Sequence, residues 1–136
     1  MTKLDGGCQC DAVRYVAAGD VDQVLACHCS DCQKQTGSAF ALIVVIDESK
    51  FKVIKGQVKT FVTSADSGRQ KLGAFCVHCG GRIYHKIAWR PGKLSLRGGT
   101  LDDASWLVPS VHLWTSRKQP WVILPPDAVV FETQPE

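Results

Sequence analysis

The sequence predicts a mostly β domain with short loops and little helix, and three observations carry that expectation. Short runs rich in β-branched residues recur along the chain, each bounded by glycine or proline. The length of 136 residues suits one domain with a modest core, spanning 1–136, and the sequence shows no repeat, linker or low-complexity tract. Seven cysteines fall in three tight groups: Cys8/Cys10, Cys27/Cys29/Cys32 and Cys76/Cys79.

The elements follow in order. Asp5 to Asp11 is a glycine-led turn into a strand over 12–16, and an extended backbone there would turn Cys8 and Cys10 to one face. Val21 to Ala26 reads as a short strand that delivers the three-cysteine loop. Ser30 to Gly37 allows one or two helical turns capped by Gly37, which would set Cys29 and Cys32 on one side. Ala39 to Ile46 is the most apolar segment and reads as a buried strand. Strands over 51–54 and 58–62 are expected to form a hairpin around Gly56, followed by a polar loop over 64–69. Cys76 to Gly81 is a knuckle whose glycines let backbone amides turn toward sulfur. Strands over 82–89 and 94–99, a single helical turn over 101–106 and a last short strand over 111–114 complete the reading, with Pro120, Pro125 and Pro126 breaking regular structure beyond it.

Composition narrows the function. Hydrophobic residues at 45% and charged residues at 21% are ordinary for a soluble protein. The longest uncharged apolar run, Ala39 to Ile46, is far too short to span a bilayer, so no membrane role is expected. Met1 to Gly7 has no apolar core of a secretory signal, and a cytoplasmic setting is expected. In that setting clustered cysteines point to metal rather than disulfides, and the odd number agrees. A net charge of +3, further offset by seven thiolates, argues against a nucleic-acid partner.

A tetrahedral zinc takes four ligands when structural and three when one position is kept open. Seven cysteines divide most simply as four plus three, giving Cys8, Cys10, Cys76 and Cys79 a closed site and Cys27, Cys29 and Cys32 an open one. A rival closed site of Cys27, Cys29, Cys76 and Cys79 has the same count. Among other candidates, His28 lies between two ligands and points away from the metal, His78 sits exposed in the knuckle, and His85 and His112 read as core or surface residues. Lys34 and Arg14 are candidates for a carboxylate, and one of Trp89, Trp106, Trp114 and Trp121 for a pocket wall. No residue stands out as a general acid or base.

Across Gly7-Cys8-Gln9-Cys10, Val13-Arg14-Tyr15, Cys27 to Lys34, Gly37 to Phe40, Phe75 to Gly80, Gly99 to Asp103 and His112 to Trp121, the chain resembles the glutathione-dependent formaldehyde-activating family, also called the CENP-V/GFA domain. The resemblance covers nearly the whole chain. It implies a zinc-bound, Mss4-like (β-tent) fold. It assigns Cys8, Cys10, Cys76 and Cys79 to a structural zinc and Cys27, Cys29 and Cys32 to a catalytic one. Asp11 departs from the family, which has glycine after the first C-x-C, and Gln33 stands where arginine is common. The implied activity is that of a zinc-dependent carbon–sulfur lyase, joining a small thiol such as glutathione to formaldehyde as S-hydroxymethylglutathione. Two other classes fit the cysteines: a non-catalytic zinc module that docks a protein, and a redox- or zinc-responsive protein. The oligomeric state is not encoded in any motif.

Overall fold

The apolar run centred on Ile43 forms a strand buried on both faces, and its two faces carry different interiors. The computed structural model describes residues 4–64 and 68–135. Strands β1 (Gly6–Gly7), β2 (Arg14–Ala17) and β3 (Gln23–Cys27) lead to helix α1 (Ser30–Thr36). The chain continues through β4 (Ala41–Asp47), β5 (Phe51–Lys55), β6 (Val58–Ser64), β7 (Gln70–Cys76), β8 (Arg82–Ile87) and β9 (Lys93–Arg97). Two short strands close it, β10 (Val111–Leu113) and β11 (Val129–Val130). The protein is therefore mostly β with one helix of two turns, as the sequence predicts.

The strands form two sheets. One holds β1-β2-β5, and the other runs β11-β10-β3-β4-β9-β8-β7-β6. The larger sheet is antiparallel except where β10 lies parallel to both β3 and β11. Because side chains alternate along a strand, Val44 and Ile46 of β4 join Leu94 and Leu96 in a first interior, while Ala41, Ile43 and Val45 join Leu25 and Leu113 in a second. The smaller sheet covers the first interior. Tyr15 there is fully buried, its ring 5.1 Å from Phe51, which in turn meets Tyr84 of the large sheet edge-on at 5.2 Å. Its hydroxyl pairs with Thr100 Oγ1 at 2.7 Å, so the buried phenol is satisfied. Helix α1 covers the second interior and buries Cys32 against it.

Four expectations need correction. The strands at 51–55 and 58–64 exist, but β5 pairs with β2 and β6 with β7, so they form no hairpin. Between them the chain crosses from one sheet to the other, with Gly56 at φ 72° and no room for a Cβ, which would stand 2.1 Å from the Ala12 carbonyl oxygen. Cys8 and Cys10 lie on a turn after β1 rather than in a strand. The expected helical turn over 101–106 is replaced by a 3-10 turn at Gly98–Thr100 and an isolated bridge from Leu101 to Gly6. Finally, β11 forms beyond the prolines, because Val111 and His112 leave an edge to be paired. The polar loop expected over 64–69 lies in part outside the described residues.

Gly37 and Gly56 separate strain from collision. Both have positive φ, but nothing lies within 4 Å of a Cβ at Gly37. Gly37→Ala is expected to cost about 1–2 kcal/mol, the left-handed penalty alone, whereas Gly56→Ala adds a clash with backbone and should cost at least twice that. Urea unfolding of the two variants measures the difference; equal costs would contradict the tight crossing at Gly56.

Candidate metal centres

Backbone geometry brings the first four cysteines together. Asp11 has φ 65°, a conformation that glycine adopts freely, and Asp11 N–H donates to Cys8 O at 3.2 Å to close the turn. At the other end Gly80 N–H donates to Cys76 O at 2.8 Å, and Gly80 takes φ 75°. The sulfurs of Cys8, Cys10, Cys76 and Cys79 then lie within 4.8 Å of one another. Cys8 and Cys10 are 3.7 Å apart at sulfur, and Cys10 and Cys76 are 3.8 Å apart. A disulfide needs about 2.05 Å. A tetrahedron with metal–sulfur bonds of about 2.3 Å has an edge of about 3.8 Å, so the spacing suits a zinc ion. Amides turn toward the sulfurs: Val13 N–H donates to Cys8 at 3.2 Å and His78 N–H to Cys76 at 3.4 Å. Amides of Cys10 and Gly81 push the Cys79 thiol down to about 6.

Cys27, Cys29 and Cys32 form the second group, also within 4.8 Å at sulfur and all buried. Cys27 ends β3, Cys29 caps α1, and Cys32 lies in its first turn. The Cys29 sulfur accepts the Cys32 N–H at 3.3 Å, which ties the loop to the helix. Thiols of Cys27 and Cys32 hydrogen-bond to the Cys29 sulfur and hold its titration well below the ordinary thiol range. Cys27 is driven up by the same contact with Cys29. Three buried sulfurs cannot all carry charge without a cation, and a soft divalent ion such as zinc meets that need. No described sulfur stands where a fourth ligand would complete this group. Cys76 and Cys79 lie with Cys8 and Cys10, so the structure does not assemble the rival set with Cys27 and Cys29.

The three-cysteine group opens onto a cavity of about 40 Å³ lined by Cys27, Cys32, Lys71, His85, Trp89, Arg90 and Ser95 among others. A smaller space of about 10 Å³ shares Cys32, Lys71 and His85 with it and adds Gln35 and Thr63. Among the described residues, neither has an acidic residue in its wall. Register explains the grouping: Gly73 faces His85, His85 faces Ser95, and Lys71 faces Ile87, which puts these side chains on the Cys27 face of the sheet. The His85 Nδ1 is buried with no hydrogen-bond partner, and burial, with the charges of Arg97 and Lys71, pushes this imidazole down to about 3. It is neutral at ordinary pH. Sequence reasoning weighed His85 only as a core or surface residue and did not single out Lys71 or Arg90, because the pairing of β7, β8 and β9 and the turn after β8 bring them to the cysteines.

The remaining candidates have other places. His28 is fully buried, turned from the thiols and paired with His112, Nε2 to Nδ1 at 2.9 Å. His78 is exposed. Arg14 is occupied by Asp102, at 2.9 and 2.5 Å. Gln33 donates to the carbonyls of His28 and Arg117 and so fastens α1 to the C-terminal segment. Lys34 and Trp121 line a shallow groove of about 460 Å³ that none of the three cysteines reaches.

Residues 3–117 match the family described as "Glutathione-dependent formaldehyde-activating enzyme". Curated relatives include proteins of Fusarium vanettenii (31% identical over 85 residues, covering 62% of this chain and 45% of the relative) and Colletotrichum graminicola (31% over 80 residues, 59% and 41%). A Penicillium rubens protein is 29% identical over 85 residues, covering 62% and 44%. All three bear the name "Putative glutathione-dependent formaldehyde-activating enzyme". The chain spans less than half the length of these relatives. A crystal structure of a Rhodobacter sphaeroides protein superposes with a TM-score of 0.61 at 17% identity, covering 94% of this chain and 99% of that one, a likeness of fold alone.

The two groups differ in what they close. Cys8/Cys10 and Cys76/Cys79 would staple segments 66 residues apart, whereas Cys27, Cys29 and Cys32 lie within six residues. Structural zinc contributes on the order of 10 kcal/mol, comparable to a whole domain's stability. Cys79→Ser should therefore abolish cooperative folding, and Cys32→Ser should leave a folded chain that has lost one of two zinc ions. Thermal melts with elemental analysis check this, and the reverse order would contradict the division.

Proposed function

Because the chain belongs to the glutathione-dependent formaldehyde-activating family, we propose that residues 1–136 act as a two-zinc, cytoplasmic carbon–sulfur lyase that joins a small thiol, glutathione or a relative, to formaldehyde. The observation that carries the reading is the buried three-cysteine group opening on a cavity whose described lining is basic, with Lys71 and Arg90 and no acidic residue among the described ones. Cys8, Cys10, Cys76 and Cys79 would hold a structural zinc, and Cys27, Cys29 and Cys32 a catalytic one. Zinc held by three thiolates supplies a fourth position for sulfur and lowers the pKa of the thiol that takes it.

The chain's own residues set the rest. A cavity of about 40 Å³ has room for little more than one or two small groups. Only the thiol's CH₂–S end and a one-carbon aldehyde fit beside Cys27 and Cys32, and the bulk of glutathione lies outside, where Arg90 at the wall presents a cation to a carboxylate. In the reaction the sulfur lone pair forms the carbon–sulfur bond, the carbonyl π pair moves to oxygen, and the thiol's proton ends on the new hydroxyl. Lys71 donates a hydrogen bond to that oxygen as charge grows on it. His85, neutral and with Nδ1 unpartnered, offers that nitrogen as a hydrogen-bond partner to the new hydroxyl and leaves the proton on oxygen. Ile43, Val45 and Ile87 keep bulk water from the reacting atoms.

Cobalt substitution makes the test direct. Glutathione should strengthen the thiolate-to-metal charge-transfer band of the cobalt protein and leave that of Cys32→Ser unchanged. NMR exchange between formaldehyde and S-hydroxymethylglutathione should then accelerate in proportion to enzyme concentration. A rate independent of enzyme would remove the catalytic claim, and no spectral response to any small thiol would favour a zinc module that docks a protein.

A further inference from the structure

Arg97 is the one buried arginine among the described residues. It ends β9 and is only 6% exposed, yet no carboxylate reaches it among the described residues. Its Nε and Nη1 have no hydrogen-bond partner, and its one side-chain bond is from Nη2 to the neutral Gln35 Oε1 at 2.7 Å. A buried, uncompensated guanidinium is costly, so a counter-charge is required.

The register supplies one. Arg97 faces Ile43, Ile43 faces Leu25, and Cys27 lies two residues on from Leu25, so Arg97 projects from the same sheet face as the three-cysteine group. Gln35, which accepts its hydrogen bond, follows Cys32 by three residues in α1 and shares that helix face. Arg97 acts electrostatically on both Cys32 and His85. Three thiolates and one divalent cation carry a net charge of −1, and a fourth thiolate would double it. We propose that Arg97 is the counter-charge of the three-cysteine centre and makes that centre select an anionic sulfur over a neutral donor as its fourth ligand. The inference rests on the metal-holding role given to those cysteines above.

The sign separates this role from a merely structural one. A fixed cation lowers the energy of each added anion and raises that of an added cation. Arg97 therefore strengthens thiolate binding and leaves a neutral ligand unaffected, while its effect on the metal is small, because the charge that favours the three thiolates also repels the cation they hold. The test uses cobalt-loaded protein titrated with 2-mercaptoethanol, which has no carboxylate, and with imidazole, both followed by visible absorption. In Arg97→Met the ratio of the 2-mercaptoethanol Kd to the imidazole Kd should rise about tenfold, the order expected for one partly screened charge, with metal content unchanged. Arg97→Lys should stay near the wild-type ratio. Gln35→Glu, which sets a carboxylate against the guanidinium, should shift the ratio as Arg97→Met does, and it keeps the test available if Arg97→Met does not fold. An unchanged ratio in Arg97→Met or Gln35→Glu overturns the proposal, as does parallel loss of metal and of both ligands. If the wild-type cobalt band ignores 2-mercaptoethanol and glutathione altogether, the thiol-binding reading fails, and this inference with it.

Discussion

Sulfur held against sulfur is the constraint to which the rest of this molecule answers. Cys8, Cys10 and Cys76 approach to 3.7 and 3.8 Å without bonding, and Cys27, Cys29 and Cys32 crowd into a buried pocket. Such groups are tolerable as thiols that share protons or as thiolates around a cation. The surroundings favour the second state. Amides of Val13, His78, Cys10 and Gly81 turn toward one group, and the Cys32 amide, Arg97 and Lys71 lie about the other.

The large sheet keeps the two groups apart. Alternation along β4 sends Val44 and Ile46 to the interior bordered by Cys8 and Cys76, and Ala41, Ile43 and Val45 to the one that holds Cys27, Cys29 and Cys32. On our reading, one face of the sheet carries a closed site that ties distant segments together. The other carries an open site under a short helix. A change to one need not unfold the other, which lets the second face vary in its chemistry while the first maintains the fold.

The cysteine grouping was readable in the sequence because it is written in local spacing, and Gly37 marked the end of α1 for the same reason. Local spacing failed where strand pairing decides. Val58 to Ser64 looks like the return arm of a hairpin, yet it pairs with β7 while β5 pairs with β2. His85 passes for an ordinary strand histidine until Gly73 and Ser95 flank it in register. Arg97 offered a faint signal, a charged residue directly after the buried Leu94 and Leu96 of β9. Nothing in its neighbours along the chain points to Gln35, 62 residues away. Asp11 is the converse case: the resemblance leads one to expect glycine there, and Asp11 takes the positive φ that glycine adopts freely.

The central claim is that seven cysteine sulfurs serve two metals, one of them with a position left for an incoming thiol. X-ray absorption at the zinc edge counts sulfur neighbours directly. Zinc-loaded protein should show two zinc ions sharing seven sulfurs in all, at about 2.3 Å, and the total should rise to eight when glutathione is added. One zinc per chain, or a sulfur count that glutathione leaves unchanged, would contradict the account.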